Sequence, residues 1–301
     1  MRIALIGQAA FGEKVLQGLA QAGEEVAVVY LPPDGGKPNS FREAAEALNI
    51  PVRQPARMRD PEVYEEYKTF GVDLNVMAFV TDIVPMTILN HAPLGTIQYH
   101  PSLLPRHRGA SAINWAVING EPKTGLTIFW PDERLDTGPI LLQKEVAIEP
   151  DDTLGTVYFN KLFSLGVDAM LESVRLVKAG AAPKIVQDLA QGEYEPICKR
   201  MTIDWNYPVG VVYNVIRGCN PSPGAVTTFN GQDLKVLDCQ RRPESGAQTP
   251  GTILEITPDG FLVLGCGGSV FIKRVQPAGS GKVGAAEFAA SAGLKVGDRL
   301  G

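Results

Sequence analysis

The feature that most limits what this chain can fold into is a repeat of short, unbroken apolar runs, each followed by a segment with helical spacing. RIALIG ends on Gly7, and GEKVLQGLAQAG then carries Val15, Leu16 and Leu19 on one helical face before stopping at Gly23. EVAVVYL closes on Pro32-Pro33-Asp34-Gly35; VDLNVMAFV and GTIQYHP repeat the pattern further along. A run without alternation is what a strand covered on both faces needs, because neither side may carry polar groups into a packed layer. Strands of that kind alternating with helices predict a parallel, doubly wound sheet up to about Gly180.

Local signals refine this reading. Ser40 is a candidate N-cap for SFREAAEALN, and DPEVYEEYKTF starts with Pro in its first turn. The long helical stretch from Thr153 to Gly180 is expected to break near Gly166. Periodicity is then lost, which predicts a linker over residues 181–202. One helix follows Asp204, and short alternating strands follow it. Asn230-Gly231 and Asp259-Gly260 read as hairpin turns. These strands predict a small β-barrel of OB type. The expected organisation is a catalytic domain over 1–180, the linker, and a barrel over 203–301.

Composition excludes several classes of protein. Net charge is −5, and residues 201–301 carry 9 Lys+Arg against 8 Asp+Glu, so no basic arm advertises a nucleic-acid partner. Cys198, Cys219, Cys239 and Cys266 lack metal-ligand spacing, and no metal site or disulfide scaffold is expected. The start MRIALIGQAAFG has no cleavage pattern, and no apolar run reaches the roughly 20 residues that span a bilayer. A reduced, cytoplasmic enzyme with no membrane partner is expected. Dinucleotide binding is disfavoured: Ala9 fills the place where the fingerprint needs a middle Gly, and no carboxylate ends the second strand.

The chemistry concentrates in IQYHPSLLPRHRGASAINW, Ile97–Trp115. The chain has three His, and two of them lie here. His100 ends an apolar strand, where an open parallel sheet places its ligands, and Pro101 stops the strand. Strand alternation puts the Gln98 amide on the same face as His100. Asp136, in the loop LDTG between two apolar strands, is a candidate to orient the imidazole or to accept a proton.

The motifs HPSLLPRHRG, LDTG and IDW…IRGCNPSPGA, taken together, resemble the formyltransferases that use 10-formyltetrahydrofolate. YHPSLLPRHRGASAINW reads most like the amino-terminal hydrolase domain of 10-formyltetrahydrofolate dehydrogenase. The resemblance spans nearly the whole chain and implies a Rossmann-like domain followed by the OB-like one. It implies that His100 and Asp136 are catalytic and that Gln98 holds the place of the family's Asn, a position that helps bind the formyl oxygen. It implies 10-formyltetrahydrofolate as formyl donor, with no metal. Phe79, Val80, Thr81, Ile83 and Trp130 are the implied walls of the folate slot. Arg106 and Arg108 are candidates for an anionic group or for tying down their own loop.

Three acceptor classes compete at this level. Water would make the chain a hydrolase, and a small amine such as an amino sugar would make it a transferase. Methionyl-tRNA is disfavoured because LPPDGGKPNSFREA holds one Lys and one Arg. A folate-binding protein without activity is a further alternative, although pure binding needs neither His100 nor Asp136.

Overall fold

The structure is a computed structural model and describes residues 1–301. The chain divides into two compact units. The first comprises 1–110, 125–146 and 161–195; the second comprises 111–124, 147–160 and 196–301.

The first unit is built on a seven-stranded sheet. Its strands are β1 (Arg2–Gly7), β2 (Glu25–Tyr30), β3 (Val52–Arg53), β4 (Leu74–Ala78), β5 (Thr96–His100), β6 (Lys123–Phe129) and β7 (Ile140–Ala147), in the order β3-β2-β1-β4-β5-β6-β7. β1 to β5 are parallel, and β6 runs antiparallel to β5. The parallel strands are the unbroken apolar runs, and β1, β2 and β4 are buried almost end to end. Helices α1 (Ala9–Gln21), α2 (Ser40–Ala47), α3 (Pro61–Tyr67), α4 (Met86–Leu89) and α7 (Phe163–Lys178) belong to this unit. Ala4, Ile6, Tyr30, Tyr67, Met77 and Ile88 share one core cluster. Phe11 of α1 packs against Tyr99 of β5 at 4.4 Å between ring centres, the rings tilted by 35°.

The strand order reverses between β1 and β4. At such a point the loops leave in opposite directions and open a crevice at the carboxyl edge. The crevice here is a cavity of about 240 Å³, walled by the ends of β1 and β2, by Pro55, Ala56 and Met58, and by Phe79–Asp82 after β4.

Two local expectations change here. The cap of α2 is Asn39, whose side-chain oxygen accepts from the Phe41 and Arg42 N–H groups, while Ser40 donates to Glu13 instead. The helical stretch is not interrupted at Gly166. Its irregularity is a π-helical segment, Val157–Leu162, between α6 (Leu154–Thr156) and α7. Gly166 sits inside α7 because a Cβ there would lie 2.7 Å from Tyr99 and 3.0 Å from Phe11, so glycine serves close packing. Residues 181–202 contain one short 3₁₀ turn (Leu189–Gln191) and β8 (Met201–Thr202), and the segment exchanges backbone hydrogen bonds with Ile140 through Ile185 and with Arg108 through Glu193 and Glu195.

The second unit has a mostly antiparallel sheet. It runs β11 (Ile253–Thr257), β12 (Gly260–Gly265), β13 (Gly268–Pro277), β10 (Gln232–Arg242), β9 (Ala225–Phe229), β8, with β14 (Val283–Gly284) against β13. Asn230-Gly231 makes the β9–β10 turn, both residues left-handed. The β11–β12 turn is Pro258-Asp259, one residue earlier than expected, because Gly260 already pairs with Thr257. Helix α5 (Ala112–Ile118) packs on α8 (Val209–Gly218) where Gly218 leaves room for Ile118. Helix α9 (Ala285–Ala292) contributes Phe288 and Ala289 to the same core.

Candidate functional site

His100 is buried at the carboxyl end of β5. Its Nε2 lies 2.9 Å from the carbonyl oxygen of His107. A carbonyl only accepts, so Nε2 carries the hydrogen and Nδ1 is the ring nitrogen left to address another group. Nδ1 faces Asp136 Oδ2 at 3.6 Å. That is beyond a formed hydrogen bond, and it leaves Nδ1 able to address a third group.

Asp136 is also buried and adopts a left-handed backbone, φ +57. A non-glycine residue in that region costs about 1 kcal/mol, so the surroundings must hold it there. The Gly109 N–H donates to Oδ2 at 2.8 Å. Thr137 Oγ1 donates to Asp132 at 2.7 Å, and the Trp130 N–H donates to the Pro139 carbonyl. Oδ1 takes no hydrogen bond from the protein, so one carboxylate oxygen is held and the other is available. Four of the six left-handed non-glycine residues are Ala9, Phe79, His107 and Asp136, which follow β1, β4, β5 and β6; the other two are turn asparagines. Backbone strain thus collects in the loops around this site, as it does where geometry is enforced for function.

Gln98 lies two residues before His100 on the same face of β5, half-buried, with its amide free of protein partners. The loop after His100 is braced from within. Thr127 Oγ1 donates to the Ser102 carbonyl at 2.7 Å and accepts the Leu104 N–H at 3.0 Å, and Ser102 Oγ donates to the Arg106 carbonyl at 2.6 Å. His107 is a buried residue whose Nδ1 lies 3.1 Å from Glu195 Oε1. Arg108 donates to the Gly192 carbonyl at 2.9 Å, so this arginine ties the loop down. Arg106 is exposed.

The five expected folate residues separate. Phe79, Val80 and Thr81 line the cavity at the strand-order reversal. Ile83 lies outside it, 68% exposed. Trp130 is buried at the other end of β5: β6 is antiparallel, Phe129 pairs with Gln98, and the indole lies over Gly95. Its Nε1 donates to the Pro183 carbonyl at 2.9 Å. The cavity wall adds groups the sequence did not single out. The Tyr30 hydroxyl is buried and unpartnered, and burial pushes its pKa upward. Asp82 receives the Met58 N–H at 2.6 Å on one oxygen and the Ile83 N–H at 2.8 Å on the other. No group of three His, Cys, Asp or Glu side chains is arranged to hold a metal ion.

Gln187 and Glu195 are contacts of the site that lie in the aperiodic segment. Hydrogen bonds made by an irregular segment leave no periodicity, and only the presence of buriable polar residues there could have hinted at them.

Residues 1–174 match the family described as formyl transferase, and residues 199–293 match formyl transferase, C-terminal domain. The chain is 42% identical over 284 residues to cytosolic 10-formyltetrahydrofolate dehydrogenase of Mus musculus, a match that covers 88% of this chain and 31% of that protein. It therefore spans about a third of the length of those dehydrogenases. It is 37% identical over 308 residues to methionyl-tRNA formyltransferase of Syntrophus aciditrophicus (strain SB), covering 99% of this chain and 98% of that one. Among solved structures it resembles HypX from Aquifex aeolicus in complex with tetrahydrofolic acid, with a TM-score of 0.73 and 18% identity over 98% of this chain and 48% of that chain. It also resembles WlaRD, a sugar 3N-formyl transferase, with a TM-score of 0.68 and 16% identity over 93% of this chain and 98% of the other.

Proposed function

Because this chain belongs to the formyl transferase family, we propose that it removes the formyl group of 10-formyltetrahydrofolate with water as acceptor, releasing formate and tetrahydrofolate. The observation that carries the chemistry is the His100–Asp136 pair, 3.6 Å apart and buried, with one carboxylate oxygen free beside it.

The residues take complementary roles. The His107 carbonyl fixes the His100 ring through Nε2–H, so a proton on Nδ1 is aimed into the site. That N–H and the free Gln98 amide donate to the formyl oxygen as it gains negative charge. A donor of this kind is worth about 10²–10³ in rate. Asp136 offsets the charge on the imidazolium and takes a proton from the attacking water through Oδ1. The proton then passes to N10 of the folate as the carbon–nitrogen bond breaks. No covalent intermediate is required.

The cavity beside Phe79, Val80 and Thr81 suits the pterin end of the donor. Its walls are largely apolar, and Asp82 presents acceptor oxygens of the kind that a ring amine and amide N–H seek. Ile83 stands at the outer lip of the loop, and Trp130 contributes by fixing the segment that carries Asp136. Water as acceptor is supported by the identity to the dehydrogenases across this region. Transfer to an amine is the second reading, supported by the full-length similarity to a methionyl-tRNA formyltransferase. Binding to tRNA is disfavoured because Arg42, one of the two cations after β2, is paired with Asp34 at 2.6 Å.

Incubation with 10-formyltetrahydrofolate alone tests the choice. Release of formate and tetrahydrofolate without an amine supports the hydrolase. Release only when an amino sugar or methionyl-tRNA is added replaces it with a transferase. Tight binding without turnover in either case leaves a folate-binding protein.

A further inference from the structure

The catalytic aspartate holds a conformation that its own loop does not favour, and the means of holding it come from a part of the chain with no regular structure. Gln187 is 7% exposed. Its Nε2 lies 3.1 Å from the Asp136 carbonyl oxygen and 2.6 Å from the Gly138 carbonyl oxygen. A carboxamide nitrogen has two hydrogens, so both are used, and together they bracket the turn that carries the carboxylate. Gln187 is itself fixed two residues upstream, where Ile185 and Ile140 exchange both backbone hydrogen bonds at 2.8 and 2.9 Å.

Gln187 Oε1, by contrast, is buried with no partner. An orphaned buried oxygen is a cost that an apolar residue of the same shape would avoid. A side chain serving only to fill space has no reason to carry that cost. The two N–H groups are the part of Gln187 that the site uses.

We propose that Gln187 is a positioning residue for the reaction: its two amide N–H groups clamp the left-handed Asp136 turn so that the carboxylate faces His100. This inference rests on the reading of His100 and Asp136 as the catalytic pair. Gln187 touches neither the reacting atoms nor the cavity. It acts through Asp136, and that separates it from a residue that merely stabilises the fold.

The test uses the full chain and formyl release from 10-formyltetrahydrofolate. Gln187→Met keeps the length and removes both donors; Gln187→Glu keeps the shape and sets acceptors against two carbonyls. A misplacement of the order of 1 Å costs about 10²-fold in rate. Both variants are expected to lose about 10- to 100-fold in kcat, with KM for the folate changed less than about threefold. In an Asp136→Ala background, Gln187→Met is expected to cause no further loss, because its route to the chemistry is gone. Wild-type kcat in whichever variants fold would overturn the proposal. An equal fold-loss in the Asp136→Ala background would overturn it too, leaving a structural residue. Full activity of Asp136→Ala itself would instead sink the site assignment, and Gln187 with it.

Discussion

Gly138→Ala perturbs the Asp136 turn without removing a polar group. Its backbone is not left-handed, so the substitution carries no conformational penalty of that kind. The obstacle is steric: a Cβ at Gly138 would lie 1.7 Å from the Trp130 carbonyl oxygen and 2.9 Å from its carbon. Real contacts of this type do not fall below 3.0 Å, so the turn must move by more than an ångström. The obstacle is backbone, held by the Trp130 N–H to Pro139 hydrogen bond, and cannot rotate away as a side chain would. The movement lands on the residue two positions from Asp136 and on the carbonyl that Gln187 holds. Crowding of this kind costs about 1–3 kcal/mol of stability. Displacement of the carboxylate by about 1 Å costs about 10²-fold in kcat. The assay is tetrahydrofolate release, with thermal unfolding measured in parallel. Gly218→Ala is the control: its Cβ would lie 2.5 Å from the Ile118 side chain in the second unit, so it is expected to lose stability and keep kcat. Wild-type kcat in Gly138→Ala, at whatever stability, would refute the link between the turn and the chemistry.

Two further outcomes follow from individual residues. Gln98→Ala removes an amide that no protein group engages, so it is expected to leave the thermal midpoint unchanged while lowering kcat by about 10²-fold; unchanged kcat would remove Gln98 from the site. Tyr67 donates to Asn75 at 2.8 Å in the core, and burial pushes its phenol up to about 12. The folded state then holds this proton more tightly than the unfolded chain. Its contribution is complete below the ordinary value of 10.0 and is lost as pH rises through about 12. Tyr67→Phe is expected to cost about 1–3 kcal/mol at neutral pH and to flatten stability against pH between those values, as urea unfolding at each pH would show.

The parts of the fold legible in the sequence were those fixed by solvation. RIALIG, EVAVVYL, LNVMA and the strand ending at His100 could be read because strands buried on both faces tolerate no alternation. His100 was legible as a candidate because a long motif carries it, and Asp136 because LDTG stands between two apolar strands; the structure brings the two to 3.6 Å. Direction was harder to read. Nothing in GLTIFW distinguishes a strand running with its neighbours from one running against them, and that reversal places Trp130 at the far end of β5 from His100. Asn39 and Ser40 are both good caps, and only backbone geometry chooses between adjacent residues. The residues that brace the site stayed hidden for a different reason. Gln187, Glu195 and His107 act through a few hydrogen bonds from irregular chain to irregular chain, contacts that are specified by tertiary placement alone.

The most direct measurement is single-turnover formyl release by the wild type, His100→Ala and Asp136→Ala, with only 10-formyltetrahydrofolate and water present. Formate and tetrahydrofolate should appear together with the wild type, and each variant should slow by at least about 10²-fold while still binding the folate. Equal rates in all three proteins would contradict the assignment of the buried imidazole–carboxylate pair to the chemistry.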